Sequence, residues 1–371
     1  MHVNVEPIFT PLEIGPARAA NRLMRSATYE SAADADGMPL VQPMTRLYGA
    51  LARGGVGLIV TGHTFVHPNG RAGMNQNGIQ SDDHALAWEP ILRTVRSESD
   101  APVFMQLTYA GRQGHTGGLL AGGNDRRDRF PPPGTPFAEF FDRQIDAVVK
   151  AFAAGAARAQ AAGFDGVKIH MAHGFLLSEC LSLHTNRRGD RWGGEDPADR
   201  RRLPLAVVDA VRQAVGDRLA VAVKLNGSDC LPPDGVEPPE AAETARELAA
   251  RGVQMIEVSA GMAESGLKAA QEVTGPEAEA YLLPLAREVA QAVDVAVATV
   301  GGYRTAPVML RALGEGLDLV SLSRPLVREP DLPRLIRRDP GRAAKCASCN
   351  QCFGIPRGAL RCMVDDPKPL E

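Results

Sequence analysis

A chain of 371 residues is long enough for one large domain or two ordinary ones, so length alone does not decide the architecture. Hydrophobic residues make up 44%, charged residues 23%, and the formal net charge is −3, which gives no reason to expect nucleic acid or an anionic membrane as a partner. The start of the chain, MHVNVEPIFTPLEIG, has no basic region followed by an apolar core, and nowhere do about eighteen apolar residues run without a charge. The sequence therefore predicts a cytoplasmic protein whose ligands are small molecules.

Eight short apolar runs follow one another along the chain. Apolar runs without strict alternation are typical of strands that are covered on both faces, as in a parallel sheet flanked by helices. Helical stretches rich in Ala and Arg separate them, for example at 137–163 and 276–293. The pattern predicts a (β/α)8 TIM barrel, an α/β fold, over a doubly wound open sheet, because no glycine-rich dinucleotide fingerprint follows the first run. The predicted strands are 22–29, 56–62, 101–107, 164–170, 219–226, 253–260, 293–300 and 317–323.

The eighth predicted strand and its helix end shortly before a group of cysteines. We therefore expect a barrel domain over residues 1–340 and a short C-terminal cysteine-rich extension, residues 341–371, packed on the barrel. The longest break between predicted elements, roughly residues 108–136, is rich in Gly, Arg and Pro. A loop of that length in a compact domain is usually a lid or a binding loop.

Polar residues and glycines follow several of the predicted strands. In a barrel of this kind the C-terminal ends of the strands line the active site. Paired glycines after the seventh strand and an arginine after the eighth lie where barrels commonly bind phosphate. We therefore expect a ligand with a phosphate tail and a polar ring. The residues concerned are Gln106, His170, His173, Lys224, Gly301, Gly302, Ser323 and Arg324.

Segments that match one known family are spread over nearly the whole chain. They include FTPLEIG, NRLMRSAT, GGVGLIVTG, SDDHALAW, QLTYAGRQG, VKIHMAHGFLLSECLS with NRRGDRWGG, VKLN, TVGGY and DLVSLSRPLVREPDLP. Together they resemble the Old Yellow Enzyme family of FMN-dependent NAD(P)H:flavin oxidoreductases. The resemblance implies FMN as cofactor, NAD(P)H as hydride donor and an enone, enoyl or related small molecule as acceptor. Related barrels often associate, so a homo-oligomer is compatible with it.

The resemblance also implies individual contacts with the flavin. Lys224 matches the Arg or Lys that places a positive charge near N1 and O2 of the ring, where negative charge gathers on reduction. The other implied contacts are backbone groups of Ala27 and Thr28, Gly62 and His63 along the ring, Gln106 at the pyrimidine edge, and Gly301, Gly302, Ser323 and Arg324 around the phosphate.

His170 and His173 match the histidine pair that holds a substrate carbonyl over the flavin ring in this family. Two donors on the oxygen of an enone polarise it and lower the barrier to hydride arrival at the β-carbon. The sequence departs from the family at Phe175, where ene-reductases usually carry the tyrosine that protonates the α-carbon. Tyr29, Tyr109 and His63 are alternative acids, and the sequence does not choose among them. Water as the acid, or a substrate that is not an enone, would also account for Phe175.

Four of the six cysteines follow the last barrel helix with the spacing Cys346-x2-Cys349-x2-Cys352-x9-Cys362. Three thiols at three-residue intervals can bind one face of a cubane and a fourth can close it, whereas zinc sites more often use two separated pairs. CASCNQC resembles the segment that binds a [4Fe–4S] cluster in the family branch of 2,4-dienoyl-CoA reductase and trimethylamine dehydrogenase. The segment therefore predicts such a cluster, with zinc or free thiols as the alternatives.

These features leave three hypotheses for the activity. The first is an NAD(P)H-dependent enone or enoate reductase. The second is a dehydrogenase whose FMN is reduced by an organic substrate and reoxidised through the cluster by a separate electron-carrier protein. The third is a flavin-binding redox sensor without catalysis. The histidine pair favours an enzyme over a sensor.

Overall fold

The computed structural model describes residues 3–114, 131, 133–266, 268–354 and 360–366. The chain begins with an antiparallel hairpin of β1 (Leu12–Ile14) and β2 (Ala17–Ala19), and eight parallel strands then close into a barrel. The predicted (β/α)8 barrel is therefore confirmed. In chain order its strands are β3 (Leu23–Arg25), β4 (Leu58–Phe65), β5 (Val103–Thr108), β6 (Gly166–Met171), β7 (Ala220–Asn226), β8 (Met255–Ser259), β9 (Ala296–Val300) and β10 (Leu319–Leu322), with β10 pairing to β3.

Helices surround the barrel, and most of them bury one face, whereas α4 (Leu176–Leu181) is buried at every residue. Helix α1 shows the pattern, because Met44, Tyr48, Leu51 and Ala52 are buried at helical spacing. The predicted helical stretch 137–163 becomes helical only at Asp142, after a 3₁₀ turn. The helices are α1 (Val41–Arg53), α2 (Asp82–Glu98), α3 (Asp142–Ala162), α4 (Leu176–Leu181), α5 (Pro197–Val215), α6 (Pro238–Ala250), α7 (Leu283–Ala290), α8 (Ala306–Gly314), α9 (Arg324–Arg328) and α10 (Leu332–Arg338). None of the helices described is long and apolar enough to cross a membrane.

The barrel interior is apolar at its N-terminal end and polar at its C-terminal end. Side chains of Leu58, Phe104, Met255 and other strand residues form the apolar layer, and Ile14 from the hairpin packs against them. Two residues further along the strands the inward positions become polar, for example at Gln106 and Glu257. Among the described residues, these polar inward positions thus lie closer to the carboxyl ends of the strands than the apolar layer does.

The strands differ from the predicted ones mainly at their ends. The first predicted strand, 22–29, stops at Arg25, because the chain then leaves the ladder and Ala27, Thr28 and Tyr29 line a cavity instead. Strand β4 continues to Phe65 through a register shift between Val60 and His63.

The described part of the cysteine-rich extension contacts segments that follow three of the barrel strands. The amide of Ala344 donates to the carbonyl of Arg304 (2.8 Å), and that of Leu360 donates to the carbonyl of Glu30 (2.9 Å). Arg328 and Asp365 form an ion pair at 2.8 Å. These contacts bring the extension next to the loops that follow β3, β9 and β10. Most of the predicted lid, residues 115–130 and 132, lies outside the described residues.

Candidate active site

A cavity of about 510 Å³ opens at the carboxyl ends of the barrel strands. This size is ordinary for a cofactor or small-ligand site. Six residues selected from the sequence line it, namely Ala27, Thr28, Tyr29, His173, Lys224 and Ser323. Other lining residues were not selected, among them Ser26, Gln113, Phe175, Ser259, Met262 and Phe353.

A smaller cavity of about 40 Å³ adjoins the first and shares Ser323 and Val300 with it. Gly302 and Arg324, both predicted as phosphate-site residues, line it. Gly302 has φ +79°, and a Cβ there would lie 2.6 Å from Val273 and 2.8 Å from Tyr281. The guanidinium of Arg324 donates to the carbonyl of Gln271 (2.9 Å) and to Oδ1 of Asn350 (2.7 Å).

The two histidines lie together at the end of β6, with ring centroids 5.4 Å apart. His173 has φ +63°, and its Nε2 lies 2.7 Å from Oγ of Ser259. Its carbonyl accepts a hydrogen bond from the side-chain amide of Gln113 (2.7 Å). Nδ1 of His170 is buried without a hydrogen-bond partner among the described residues. The ring of His173 is thus held by a hydrogen bond, whereas the ring of His170 keeps an unpaired Nδ1 among the described residues.

Burial keeps these rings neutral. It lowers the pKa of His173 to about 3, with the positive charge of Lys224 acting in the same direction. It lowers the pKa of His170 well below its usual range, and His173 and Lys224 add to the effect. Burial also lowers the pKa of His63 to about 4. Each ring therefore offers one N–H donor and one acceptor at neutral pH.

These depressed pKa values predict a loss of stability in acid. Stability from a buried neutral histidine is present above the unfolded pKa near 6.5 and disappears as the pH falls towards the folded value. Between pH 8 and pH 5 the free energy of unfolding should drop by about 1–2 kcal/mol for each of His63 and His173. Urea unfolding at both pH values measures the drop, and His63→Gln should reduce it. Equal stability of the wild-type protein at both pH values would contradict the neutral assignment.

A row of rings connects two of the candidate acids, Tyr29 and His63, with the histidine pair. Centroid distances are 5.1 Å from Tyr29 to His63, 5.5 Å from His63 to Phe175, and 4.7 Å from Phe175 to His170. Phe175 therefore fills the centre of the row with an apolar ring. Tyr29 lines the large cavity, whereas Tyr109 is 2% exposed, does not line it, and packs against Phe140.

Two more of the selected residues lie beneath the mouth of the barrel. Gln106 is buried at the end of β5, and its Oε1 has no hydrogen-bond partner in the described part of the chain. The amide of Gly62 donates to the carboxylate of Glu30 at 2.5 Å. An unpartnered amide oxygen in the barrel and a glycine cradle at the smaller cavity both fit a ligand with a polar ring and a phosphate. The residues present therefore fit FMN.

Sequence reasoning missed a buried charge cluster below Lys224. Lys168 and Glu257 form an ion pair with both side chains fully buried. Oε1 of Glu257 also accepts from the hydroxyls of Ser26 (2.5 Å) and Ser321 (2.8 Å) and lies 3.4 Å from Nζ of Lys224. The two lysines outweigh burial and hold the pKa of Glu257 below its usual range. The sequence did contain a signal for this cluster, because Lys168 and Glu257 are charged residues within apolar predicted strands.

All four cysteines of the extension line one small cavity of about 20 Å³, together with Arg324. Ser348 and Asn350, between the first three cysteines, have left-handed backbone angles, with φ +57° and +60°. Within the described ranges no three His, Cys, Asp or Glu side chains are arranged as a metal-ligand set. The structure therefore brings the four thiols together without showing a metal centre.

Comparisons with known proteins agree with the fold. Residues 7–341 match the model of the NADH:flavin oxidoreductase / NADH oxidase family. The NADH oxidase of Thermoanaerobacter brockii is 30% identical, over 96% of this chain but only 56% of its own length. The NADPH dehydrogenase of Geobacillus sp. strain WCH70 is 30% identical over 90% of this chain and 94% of its own.

A solved structure extends the comparison. The Old Yellow Enzyme homologue from Zymomonas mobilis superposes with a TM-score of 0.71 at 25% identity, covering 91% of this chain and 94% of that protein. The family match ends before Cys346, so the cluster at the cysteines stays a prediction. Because the family model covers nearly all of the barrel, the chain belongs to the NADH:flavin oxidoreductase / NADH oxidase family, that of Old Yellow Enzyme.

Proposed function

We propose that the chain is an FMN-dependent oxidoreductase that uses NAD(P)H to reduce an activated C=C bond, as in an enone. One observation carries the proposal. Two neutral histidines meet at the end of β6, and the ring of His173 lines a cavity with Lys224 in its wall. An enone carbonyl requires hydrogen-bond donors, and the developing negative charge on a flavin requires a nearby cation.

Different residues of the site would contact the different chemical groups of FMN. Gly302, Ser323 and Arg324 would receive the phosphate, Gln106 the pyrimidine edge, and Lys224 the N1 and O2 region. When bound, FMN supplies the hydride transfer from NAD(P)H to the acceptor. The protein contributes binding, orientation and electrostatics.

The histidine pair would bind the carbonyl oxygen of the acceptor. Since both rings are neutral, each gives a single N–H, and the hydrogen bond with Ser259 fixes the orientation of His173. The free Nδ1 of His170 leaves that ring able to adopt the tautomer that the substrate selects. Two donors aimed at one oxygen stabilise the enolate-like charge that develops during hydride arrival.

Tyr29 is the hydroxyl that we propose as the proton donor in place of the family tyrosine. It lines the cavity and lies beside His63, whereas Phe175 has no hydroxyl to offer. Tyr29→Phe should lower the rate of enone turnover about 100-fold, within the usual range for a lost general acid, without changing FMN content. Tyr109→Phe is the matched control and should leave turnover unchanged. Equal effects of the two variants would contradict the assignment.

Anaerobic product analysis tests the proposed function. The FMN-loaded protein is incubated with NADPH or NADH and 2-cyclohexenone, and the products are separated by gas chromatography. We expect cyclohexanone in amounts equal to the NAD(P)H consumed. A protein that binds FMN but forms no saturated ketone from this or other enones would contradict the proposal.

The grouping of the four cysteines favours a second candidate. Arg324 lines both the cysteine cavity and the smaller cavity at the phosphate residues, so a cluster there would lie next to the flavin site. Such a protein would pass electrons between FMN and a carrier protein. Iron and sulfide assays on anaerobically purified protein test this candidate. About four irons per chain would support it, and zinc or no metal would exclude it.

A further inference from the structure

Of the buried cluster of Lys168, Lys224 and Glu257, the proposed function uses only Lys224. These three side chains lie inside the barrel, between the apolar layer and the large cavity. Lys168 and Glu257 have no exposed side-chain surface, whereas Lys224 is 5% exposed and lines the cavity. Only one of the two lysines can therefore contact a ligand.

The two carboxylate oxygens of Glu257 have different partners. Oε2 of Glu257 accepts from Nζ of Lys168, whose side chain has no exposed surface. Oε1 accepts from Ser26 and Ser321 and faces Lys224 at the longer distance of 3.4 Å. Nζ of Lys224 donates to Oγ of Ser26 at 3.1 Å. The short ion pair is thus with Lys168, and the looser contact is with Lys224.

The charge balance of the cluster leaves one positive charge. Two lysines and one glutamate sum to +1, and burial lowers the pKa of Lys168 to about 8, so that it is still protonated at pH 7. Arg25, another nearby cation, donates to the neutral carbonyls of Val60 and Thr28. Because Lys168 makes the closer contact with Glu257 and Lys224 the longer one at 3.4 Å, more of the excess positive charge lies on Lys224 at the cavity wall.

We propose that Lys168 is a positioning residue for the flavin: it forms the closer ion pair with Glu257 from inside the barrel, so that Lys224 keeps more of its positive charge for bound FMN and makes FMN easier to reduce. This inference rests on the proposed binding of FMN. Reduction by NAD(P)H adds two electrons and one proton to FMN, so one negative charge develops near the cation. Without Lys168, Lys224 alone would have to balance the charge of Glu257, and the carboxylate would oppose that development.

Midpoint potentials of bound FMN test the role of Lys168. Lys168→Met should shift the two-electron potential to more negative values by about 30 mV or more, which is a tenfold loss in the equilibrium constant for reduction. Lys168→Met/Glu257→Gln restores the net charge of +1 and should return the potential to the wild-type value. Lys150→Met removes an exposed lysine of α3 and serves as the matched control. Anaerobic equilibration with redox dyes gives the potentials.

An unchanged potential in Lys168→Met, or a shifted potential that the double variant does not restore, would overturn the inference. If Lys168→Met fails to fold, Lys168→Gln gives the same comparison, because its amide is neutral and can still donate to Glu257. Lys168→Arg keeps the charge and should keep the wild-type potential. Failure of the wild-type protein to bind FMN would instead contradict the proposed function, so the two failures are distinct.

Discussion

Replacing both His170 and His173 by alanine should lower kcat/KM for enone reduction by at least about 10²–10³-fold, the usual loss for a single donor of this kind. The rings lie 5.4 Å apart and burial keeps both neutral, so under our proposal each donates one N–H to the carbonyl oxygen of the substrate. FMN content should stay the same, because neither side chain lies at the smaller cavity where the phosphate is expected. Steady-state kinetics with 2-cyclohexenone and the flavin-to-protein ratio measure the two effects.

Ser259→Ala tests the orientation of the His173 ring separately from hydrogen-bond donation by the two histidines. It removes the partner of His173 but leaves both rings in place. One hydrogen bond is worth about 0.5–1.5 kcal/mol, so we expect a loss of about two- to tenfold in kcat/KM.

A double alanine variant of His170 and His173 that reduces enones as fast as the wild-type protein would show that these histidines do not bind the substrate.

Gly302→Ala should damage both stability and FMN binding. Its backbone has φ +79°, and the added Cβ would meet Val273 at 2.6 Å and Tyr281 at 2.8 Å. A strained left-handed alanine costs about 1–3 kcal/mol before any rearrangement of its neighbours. Because Gly302 lines the cavity that we assign to the phosphate, that rearrangement should also weaken FMN binding by at least tenfold.

Gly314→Ala is the matched control for this substitution. Gly314 ends helix α8, and a Cβ there would meet no atom within 4 Å. Alanine should therefore be neutral or stabilise the protein by up to about 1 kcal/mol. Urea unfolding and FMN titration by fluorescence quenching compare the two variants. If Gly302→Ala bound FMN with wild-type affinity, the assignment of Gly302 to the phosphate site would be contradicted.

The barrel could be predicted because its signal is local. Apolar runs such as VGLIVTG and the helical stretches between them appear in short windows of sequence, and the structure confirms eight strands in the predicted order. The ends of the strands were less certain. Ser26 still donates its amide to the carbonyl of Leu322, but beyond it the chain crosses the cavity, and no local pattern marks that change.

Part of the candidate site could not be predicted, because its contacts join residues that are far apart in the sequence. Lys168 and Glu257 are 89 residues apart and meet only because β6, β7 and β8 are neighbours in the barrel. Tyr29 and Tyr109 were equal candidates for the acid. The choice depends on the path of the chain after β3 and β5, which brings one hydroxyl to the cavity and buries the other.

Anaerobic reduction of the bound flavin is the most direct test of the central claim, that this cavity holds FMN for hydride exchange between NAD(P)H and an organic acceptor. The FMN-loaded protein is mixed with NADPH or NADH in a stopped-flow instrument, and 2-cyclohexenone is then added. We predict loss of the flavin absorbance with at least one of the two nucleotides and its return with the enone. Flavin that stays oxidised with both nucleotides would contradict the claim and favour a dehydrogenase reduced by another substrate.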